Sequence, residues 1–588
     1  MGLIMRRFAL FVLLFAAAGA ALADGDDPPS RVARLNLLNG NVSFRPGSIE
    51  EWTAATLNYP LTTGDHLWTD AGAQAEIHVG STAIRMAPQT ALAILNIDDR
   101  TVQISVPQGS VNVRLLSLAD DDAFEVDTPN AAATLLRPGD YRFDADGDNN
   151  LTVVTVRGGD AEVTGTGTAF TVHARESARI TGVDRISQEI LPAPPPDDFD
   201  NWCLARERRE AQASISARYV PRDMVGYEDL DVYGAWREDP QYGWVWIPRS
   251  VAVGWAPYHY GRWAWVDPWG WTWIDDAPWG FAPFHYGRWA LVAGGWAWVP
   301  GRLVAGVRPV YVPALVAFVG GTGFSPGVAV AGGGGVAAWF PLGPGEVYRP
   351  AYRVSEVYVR QVNIPHVTNV NVIGVTNVRY VNQTVAGAVT VVPHEAFVSA
   401  RPVAAVSVRV DPAVVARAQV VGPTALVAPR RESVIVRTGG AVVAPPPRFA
   451  DRVVVARATP PPPPVSFAAK QQALQANPGR PLAPEQTRVL RTATPLPRPM
   501  VRTLAVPPAG RVAPPSSPLA RPQPNAAQPP PARTPEPGFQ RNDRPPAGTP
   551  QREAAPAAEV RHEATPPKQD NKRAAKKTED KKKEEKKQ

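Results

Sequence analysis

The side chains best suited to acid–base chemistry lie in one stretch, WAPYHYGRWAWVDPWGWTWIDDAPWGFAPFHYGRWA, which spans residues 255–290. Its imidazoles and carboxylates are His259, His285, Asp267, Asp275 and Asp276. Such groups could serve as general acid and base. Both histidines, however, occupy the same position of two near copies, WAPYHYGRWA and FAPFHYGRWA, so packing of a repeat explains them more simply. Asp275 and Asp276 are adjacent and would point to opposite faces of a strand. We therefore predict no catalytic site.

Three other features suggest chemistry and are set aside. GFSPG (323–327) fits the nucleophile-elbow pattern, but Pro326 has no N–H to donate to an oxyanion. DADGDNN, with Asp144, Asp146 and Asp148, resembles a calcium loop but lacks the closing glutamate, and a hairpin turn is predicted instead. Cys203 is the only cysteine, which excludes a disulfide within the chain; we expect it to be a buried small side chain. No cofactor or metal site is predicted.

The aromatic stretch belongs to a threefold repeat. YGAW begins at Tyr233, and YGRW begins at Tyr260 and Tyr286. GWVW, GWTW and GWAW follow at Gly243, Gly270 and Gly295. A spacing of 25 to 27 residues corresponds to about one β-hairpin and a connection.

The turn sequence DPWG (267–270) sets the predicted register of the middle copy. It suits a type I turn with Gly270 in a left-handed conformation. Asp267 would then face Trp271, and Trp265 would face Trp273. Because side chains alternate along a strand, four tryptophans share one face, namely Trp263, Trp265, Trp271 and Trp273.

A face of four tryptophans can be a core or an open platform for ligands. Each indole buries about 150–250 Å², and small sheets rich in glycine need large side chains, so the core is favoured. The total of 17 tryptophans keeps the platform open as an alternative. Arg262 and Arg288, at equivalent repeat positions, could bind anions or stack on a neighbouring ring. Any binding is expected at the edges, near Arg262, Trp269 and Arg288. The candidate ligand-binding residues are Arg262, Trp263, Trp265, Trp269, Trp271, Trp273, Arg288 and Trp289.

The elements that would position these residues are mainly β. Residues 31–182 alternate apolar and polar positions in short runs with frequent turn residues, which predicts an all-β domain. A proline linker and a short helix cover residues 191–225, and the tryptophan-rich hairpin repeat covers residues 226–350. The valine-rich segment 351–440 suggests weak strands that pack on the tryptophan-rich domain or need a partner. Residues 441–588, rich in proline and then lysine, predict a disordered tail.

Two parts of the chain resemble known families. NGNVSF, LTTGDHLWTDAGAQAEIHVG, DDRTVQISVPQGSVNVRL, FEVDTPNAA and LRPGDYRF, in residues 31–182, resemble the FecR domain of Gram-negative envelope proteins. One departure is Ala174-Arg175-Glu176, where that pattern usually has a glycine turn before the last strand. ARYVPRDMVGYEDLDVYGAW, WGWTWIDDAPWGFAPFHYGRWA, PVYVPALVAFVGG and FPLGPGEVY, between residues 217 and 348, resemble exported proteins of unknown function that often carry a FecR domain.

The FecR resemblance implies an all-β fold and a place in the cell envelope. Its signalling members sense an outer-membrane transporter and need an inner-membrane helix and a cytoplasmic segment. We find neither pattern in this sequence, so that role is not expected directly. Arg6 and Arg7, followed by an apolar run and Ala21-Leu22-Ala23, predict a signal peptide over residues 1–23. With no later apolar run of about 20 residues, a periplasmic or secreted protein is expected.

Charge is distributed unevenly along the chain. Residues 24–200 hold 27 acidic and 12 basic residues, a net charge of −15, and residues 201–350 are balanced. The remainder, without the two signal-peptide arginines, carries +19. Such a basic tail is expected to contact an anionic polymer or the acidic head.

These features predict a non-enzymatic envelope protein that binds peptidoglycan, an envelope polysaccharide or an envelope protein, and no nucleic acid. A periplasmic regulatory or assembly factor related to FecR signalling is one alternative. A glycan hydrolase using His259 or Asp276 is another.

Overall fold

The computed structural model describes residues 27–211, 215–304, 307–320, 335–366, 379–437, 439–450, 452–493 and 501–504. The described part is mainly β, as the sequence predicts. The predicted signal peptide, the GFSPG motif and the chain beyond residue 504 lie outside the described residues.

The N-terminal region consists of short strands that follow the predicted alternation. They are β1 (Ala33–Asn39), β2 (Val42–Arg45), β3 (Thr53–Ala54), β4 (Pro60–Leu61), β5 (His66–Thr69), β6 (Gln74–Val79), β7 (Thr82–Met86), β8 (Thr90–Ile97), β9 (Thr101–Leu115), β10 (Ala123–Asp127), β11 (Ala132–Leu135), β12 (Gly139–Asp146), β13 (Leu151–Gly158), β14 (Asp160–Gly165), β15 (Thr168–His173), β16 (Glu176–Thr181) and β17 (Ser187–Pro192). Between β15 and β16, Arg175 adopts φ +70°, the conformation that a glycine would supply more readily.

The long strand β9 belongs to two sheets and joins them. One sheet runs β4-β1-β6-β7-β9-β12-β13-β16-β17, and its neighbours are all antiparallel. The other runs β3-β2-β5-β8-β9-β10-β11-β14-β15 and has one parallel pair, β9–β10. Phe44 from the second sheet and Phe143 from the first are buried in the same apolar cluster. The prediction of an all-β domain is therefore confirmed.

The predicted short helix is α1 (Asp198–Ala211). Its residues Phe199 and Cys203 are buried with Ala87 of the N-terminal region. Cys203 is a free thiol, and burial raises the pKa of its thiol well above the usual value. The expectation of a buried small side chain is confirmed.

The tryptophan-rich region forms one hairpin per sequence repeat. After two single turns of 3₁₀ helix at Ser216–Arg218 and Tyr227–Asp229, its elements are α2 (Leu230–Tyr233), β18 (Gly234–Asp239), β19 (Gly243–Pro248), β20 (Gly261–Val266), β21 (Gly270–Asp275), α3 (Ala282–His285), β22 (Arg288–Val292) and β23 (Gly295–Val299). The first and third hairpins join in a sheet ordered β18-β19-β23-β22, whereas β20 and β21 form a separate two-stranded sheet.

The middle hairpin differs from the predicted register by two residues. Val266 pairs with Gly270, Trp265 with Trp271, and Trp263 with Trp273. The loop contains residues 267–269 and a cis Asp267–Pro268 bond instead of the predicted type I turn, and Asp267 stays outside the ladder, where its carboxylate pairs with Lys470. Gly270 has φ +88°, as predicted. Because the shift is two residues, the four tryptophans still share one face.

The next two strands and the valine-rich segment form a further sheet. Strands β24 (Val316–Gly320), β25 (Val336–Pro341), β26 (Thr390–Pro393) and β27 (Gln419–Gly422) pair in the order β26-β25-β24-β27. The helices of this segment are short: α4 (Glu356–Asn363), α5 (His394–Val398), α6 (Val403–Val406), α7 (Pro412–Ala416) and α8 (Arg431–Val434). The segment packs on the middle hairpin, because the Phe397 ring lies 4.5 Å from Trp271 and 5.5 Å from Trp263 between centroids.

The first part of the predicted disordered tail is ordered instead. It contains α9 (Pro447–Ala450), β28 (Val454–Ala456), α10 (Phe467–Ala476), α11 (Pro484–Ala493) and β29 (Val501–Thr503), with β28 and β29 parallel. Proline-rich composition predicted disorder, but apolar and charged side chains attach the segment to the N-terminal region. Phe449 stacks on Trp68 at 6.2 Å, and Arg457 pairs with Glu162. We call residues 452–493 the strap. Among the described helices, none has both the length and the apolar character needed to span a membrane.

Candidate functional site

The face of four tryptophans is part of the core. Trp263, Trp265, Trp271 and Trp273 are each at most 3% exposed. The rings of Trp263 and Trp273 meet edge to face at 5.6 Å, and those of Trp265 and Trp271 at 5.5 Å. Strands β24 and β25 cover the face, with Phe318 and Trp339 at 5.3 and 5.4 Å from Trp263. The interpretation of this face as core is confirmed.

The two repeat arginines and Trp289 each have partners within the protein. Arg288 is buried and donates to the carbonyls of Glu346 and Gly287, at 3.1 and 2.8 Å. It also donates to Oδ1 of Asn363 at 3.1 Å, and its burial lowers its pKa to about 10. Arg262 forms an ion pair with Asp276 at 3.2 Å. Trp289 is buried and donates from Nε1 to the Pro283 carbonyl at 2.9 Å.

The two repeat histidines are shielded from solvent to different degrees, and each lies beside a polar atom of another residue. His285 is fully buried, and its Nδ1 donates to the Val312 carbonyl oxygen at 2.8 Å. Burial lowers the pKa of His285 to about 3, so the ring is neutral near pH 7. His259 is half-buried beside Oγ1 of Thr390, and burial lowers its pKa as well.

The adjacent aspartates also have partners within the repeat. The Asp275 carboxyl accepts from Nε1 of Trp273 and from the backbone N–H of Ala277, both at 3.0 Å. Burial raises the pKa of Asp275 well above its usual value. Asp276, one residue on, pairs with Arg262, so the two carboxyls serve different contacts.

A cavity of about 450 Å³ lies at the tip of the middle hairpin, and we call it the tip cavity. Four regions of the chain line it, and the valine-rich segment contributes only Val434. The N-terminal region contributes Tyr59, Leu61, Thr62, Asp65 and Asn96 among others, the hairpin contributes Trp265–Trp269, and the strap contributes Pro461, Pro462, Pro464, Lys470 and Leu482 among others. Of the eight predicted site residues, Trp265 and Trp269 line this cavity, and the other six do not.

The charged side chains of the tip cavity are three carboxylates, Asp65, Asp98 and Asp267, and three basic groups, Arg31, Lys470 and Arg491. Asp65 accepts hydrogen bonds from the backbone N–H groups of Gly47 and Thr62, at 2.9 and 2.8 Å. Burial, with a contribution from the nearby Asp267, raises the pKa of Asp65 to about 7. At Asp267, Oδ1 accepts from Nε1 of Trp265 at 3.3 Å and Oδ2 pairs with Lys470. Aromatic rings beside carboxylates can hold a cation or hydrogen-bond hydroxyl groups.

Sequence reasoning missed Tyr59, Asp65 and Lys470, because their regions meet only in the folded chain. One sequence feature did point to Lys470: it is the only lysine before Lys568.

A second charged cluster lies where the N-terminal region meets α1. Atoms of Glu76, His78 and Glu210 approach one another closely enough to coordinate a metal ion. However, Glu76 accepts from Arg85 at 2.8 Å and from Arg206 at 2.6 Å, and guanidinium groups compete with a cation for carboxylate oxygens. The donor set therefore fits an ion-pair network better than a metal site.

His78 extends this network to the tryptophan-rich region. Its Nδ1 lies 2.6 Å from Glu228, and its Nε2 lies 3.1 Å from Glu76 and 3.7 Å from Glu210. Burial by itself lowers the pKa of His78, but these carboxylates together raise it well above the usual value.

Comparisons with known proteins cover parts of the chain. Two crystal structures of a protein described as a "putative anti-sigma factor" from Parabacteroides distasonis are similar to it at 14% sequence identity and a TM-score of 0.20. That match covers 22% of this chain and 60% of the other. No curated protein matches. A model for a family of unknown function, DUF6600, matches residues 227–346, which contain the three hairpins and β24–β25.

Proposed function

We propose that this chain is an exported, non-enzymatic binding protein of the cell envelope whose ligand enters the tip cavity. The observation that carries the proposal is the cavity itself, where Trp265 and Trp269 meet the carboxyls of Asp65 and Asp267. Ligand sites are typically apolar and aromatic pockets of about 300–1,000 Å³ with a few placed polar groups. In this account the buried hairpins act as a scaffold that fixes the tip.

The sequence supports the envelope part of the proposal. The predicted signal peptide over residues 1–23 would export the chain. The FecR-like motifs of residues 31–182 are those of envelope proteins. The excess positive charge after residue 350 would attract an anionic surface polymer. We therefore propose peptidoglycan or an envelope polysaccharide as the ligand, with the tail as an auxiliary contact.

The partners of the acid–base candidates support binding over catalysis. His259 and His285 have lowered pKa values and contact Thr390 and the Val312 carbonyl. Asp276 pairs with Arg262. Groups whose polar atoms are engaged by such neighbours are better explained as packing than as a general acid or base.

Co-sedimentation tests the proposal. The full chain is incubated with purified peptidoglycan and with envelope polysaccharide at about 0.3 M salt, which screens the contribution of the tail. Leu482→Trp should partly fill the tip cavity and reduce retention, whereas Leu426→Trp, at a leucine that is 59% exposed, should not. If neither polymer retains the wild type, the function is wrong. If Leu482→Trp is retained like the wild type, the ligand does not use the tip cavity.

A further inference from the structure

Lys470 reaches the tip cavity from a distant part of the sequence. It lies on α10 of the strap, 203 residues after Asp267, and its ammonium pairs with Oδ2 of that aspartate. The Lys470 side chain is 6% exposed. Burial of an ammonium group costs free energy unless an opposite charge lies beside it. The Asp267 carboxylate provides that charge for Lys470.

Around Asp267 the tip cavity provides more for a cation than this one contact, while two arginines, Arg31 and Arg491, line other parts of its wall. Nε1 of Trp265 donates to the other oxygen of Asp267 and thereby orients the carboxylate. Asp65, also in the cavity wall, accepts only backbone and hydroxyl hydrogen bonds from Gly47 and Thr62 within the described residues. Indole rings, here Trp265 and Trp269, add favourable surroundings for a cation.

We infer that the tip cavity is a site for a primary ammonium on an alkyl chain, such as a lysine side chain of a peptide, and that Lys470 is its built-in occupant. The inference rests on the proposed function, which makes the tip cavity the ligand site. An incoming ammonium replaces Lys470 on Asp267. Lysine reaches its partner through a flexible four-carbon stem, so the site suits an aminoalkyl group better than an amine attached directly to a sugar ring.

Lys470 can leave Asp267 while the strap stays in place. Helix α10 is anchored beside it by Phe467 and Leu474, which are buried in the main apolar cluster, and the N–H of Phe467 donates to the Ser48 carbonyl at 2.8 Å. Further along, Arg353 and Glu485 form an ion pair in which both side chains are at least half exposed. Such exposed pairs contribute little to stability. An amine ligand therefore competes mainly with Lys470 itself.

Isothermal titration calorimetry on the full chain tests this inference. The probes are N-alpha-acetyl-lysine methylamide and its twin acetylated on the side-chain amine. Removal of the internal competitor in Lys470→Met should tighten binding of the free-amine probe by about tenfold or more over the wild type. The acetylated twin should not bind, and Asp267→Asn added to Lys470→Met should abolish binding. If Lys470→Met does not fold, Lys470→Gln, which keeps most of the stem, is used by the same criteria.

Three results would overturn the assignment. The first is an affinity for the free-amine probe that does not rise in Lys470→Met. The second is binding of the acetylated twin as tight as that of the free-amine probe. The third is tighter binding of glucosamine than of the lysine probe. The polymer assay separates this failure from failure of the proposed function. If Leu482→Trp still reduces polymer retention, the tip cavity remains the ligand site and only its preference for an amine is wrong.

Discussion

Trp263 and Trp273 lie directly opposite each other in β20 and β21, with their ring centroids 5.6 Å apart and both indoles buried. The same relationship recurs in the other two hairpins, where Trp236 faces Trp246 and Trp289 faces Trp298. Each sequence repeat thus places at least one cross-strand tryptophan pair, and the middle repeat adds a second, Trp265 with Trp271. The Trp263 ring also lies against the rings of Phe318, Trp339 and Phe397.

Replacement of Trp263 by alanine should therefore cost about 3–5 kcal/mol of unfolding free energy, because it leaves a cavity among large rings. Trp244→Ala is the matched control, since Trp244 is 43% exposed and should cost far less. Urea unfolding followed by circular dichroism measures both. Equal losses for the two variants would contradict the assignment of the middle face as core.

Arg288→Lys should destabilise the fold without affecting anion binding. Lysine cannot replace the guanidinium that donates to Glu346, Gly287 and Asn363 at once. We expect a loss of about 2–4 kcal/mol, because buried acceptors lose their donors. Thermal unfolding measures the loss, and titration with sulfate provides the second readout. A sulfate affinity that falls with Arg288→Lys while stability is unchanged would support an anion site instead.

Asn58 joins the N-terminal and tryptophan-rich regions. Its amide donates to the carbonyls of Asp275 and Ala277, at 2.9 and 2.7 Å, and its oxygen accepts from Arg34. Asn58→Asp keeps the size but removes both donors, so we expect a loss of about 2–4 kcal/mol. Asn39→Asp, at an exposed asparagine, is the control. Similar melting temperatures for the two variants would show that this junction does not stabilise the fold.

Stability should fall at alkaline pH because of His78. Glu76, Glu210 and Glu228 face its ring, Asn36 lies 3.4 Å from Nε2, and Arg34, Arg85 and Arg206 bind these carboxylates in turn. The pKa of His78 is raised on folding, so its contribution is fully present below about pH 6.5 and is lost as the pH rises through the folded value.

His78→Gln isolates this contribution. Urea unfolding of both proteins between about pH 6 and about pH 9.5 should show the variant less stable at low pH and the difference shrinking as the pH rises. Other titrating groups are common to both proteins and cancel in the difference. A difference that stays constant, or grows with pH, would contradict the protonated state of His78.

Local sequence patterns predicted the hairpins but not their pairing. Alternation placed Trp263, Trp265, Trp271 and Trp273 on one face because the period of two is a local property. The register depended on whether Asp267 enters the ladder, and its partner Lys470 comes from another region of the chain. The conformation of a turn that a distant side chain helps to fix cannot be deduced from the four residues of the turn alone.

The tip cavity and the ordered strap were beyond sequence reasoning for a related reason. The walls of the cavity come from four regions whose meeting depends on the whole fold. Proline-rich composition argued for disorder because such segments bury little apolar surface by themselves. Phe449, just before the strap, stacks instead on Trp68, and Arg457 of the strap pairs with Glu162, so the N-terminal region supplies the partners. The lone lysine at position 470 was visible in the sequence, but its partner was not.

Hydrogen–deuterium exchange of the full chain, with and without solubilised peptidoglycan, tests the central claim most directly. The claim is that the buried hairpins form a scaffold and that binding occurs at the tip cavity under the strap. Ligand should slow exchange in residues 59–65 and 265–270. It should speed exchange in residues 465–476, because α10 loses the ion pair between Lys470 and Asp267. Unchanged exchange in these three segments, with protection confined to the exposed tip of the first hairpin around Trp244, would contradict the claim.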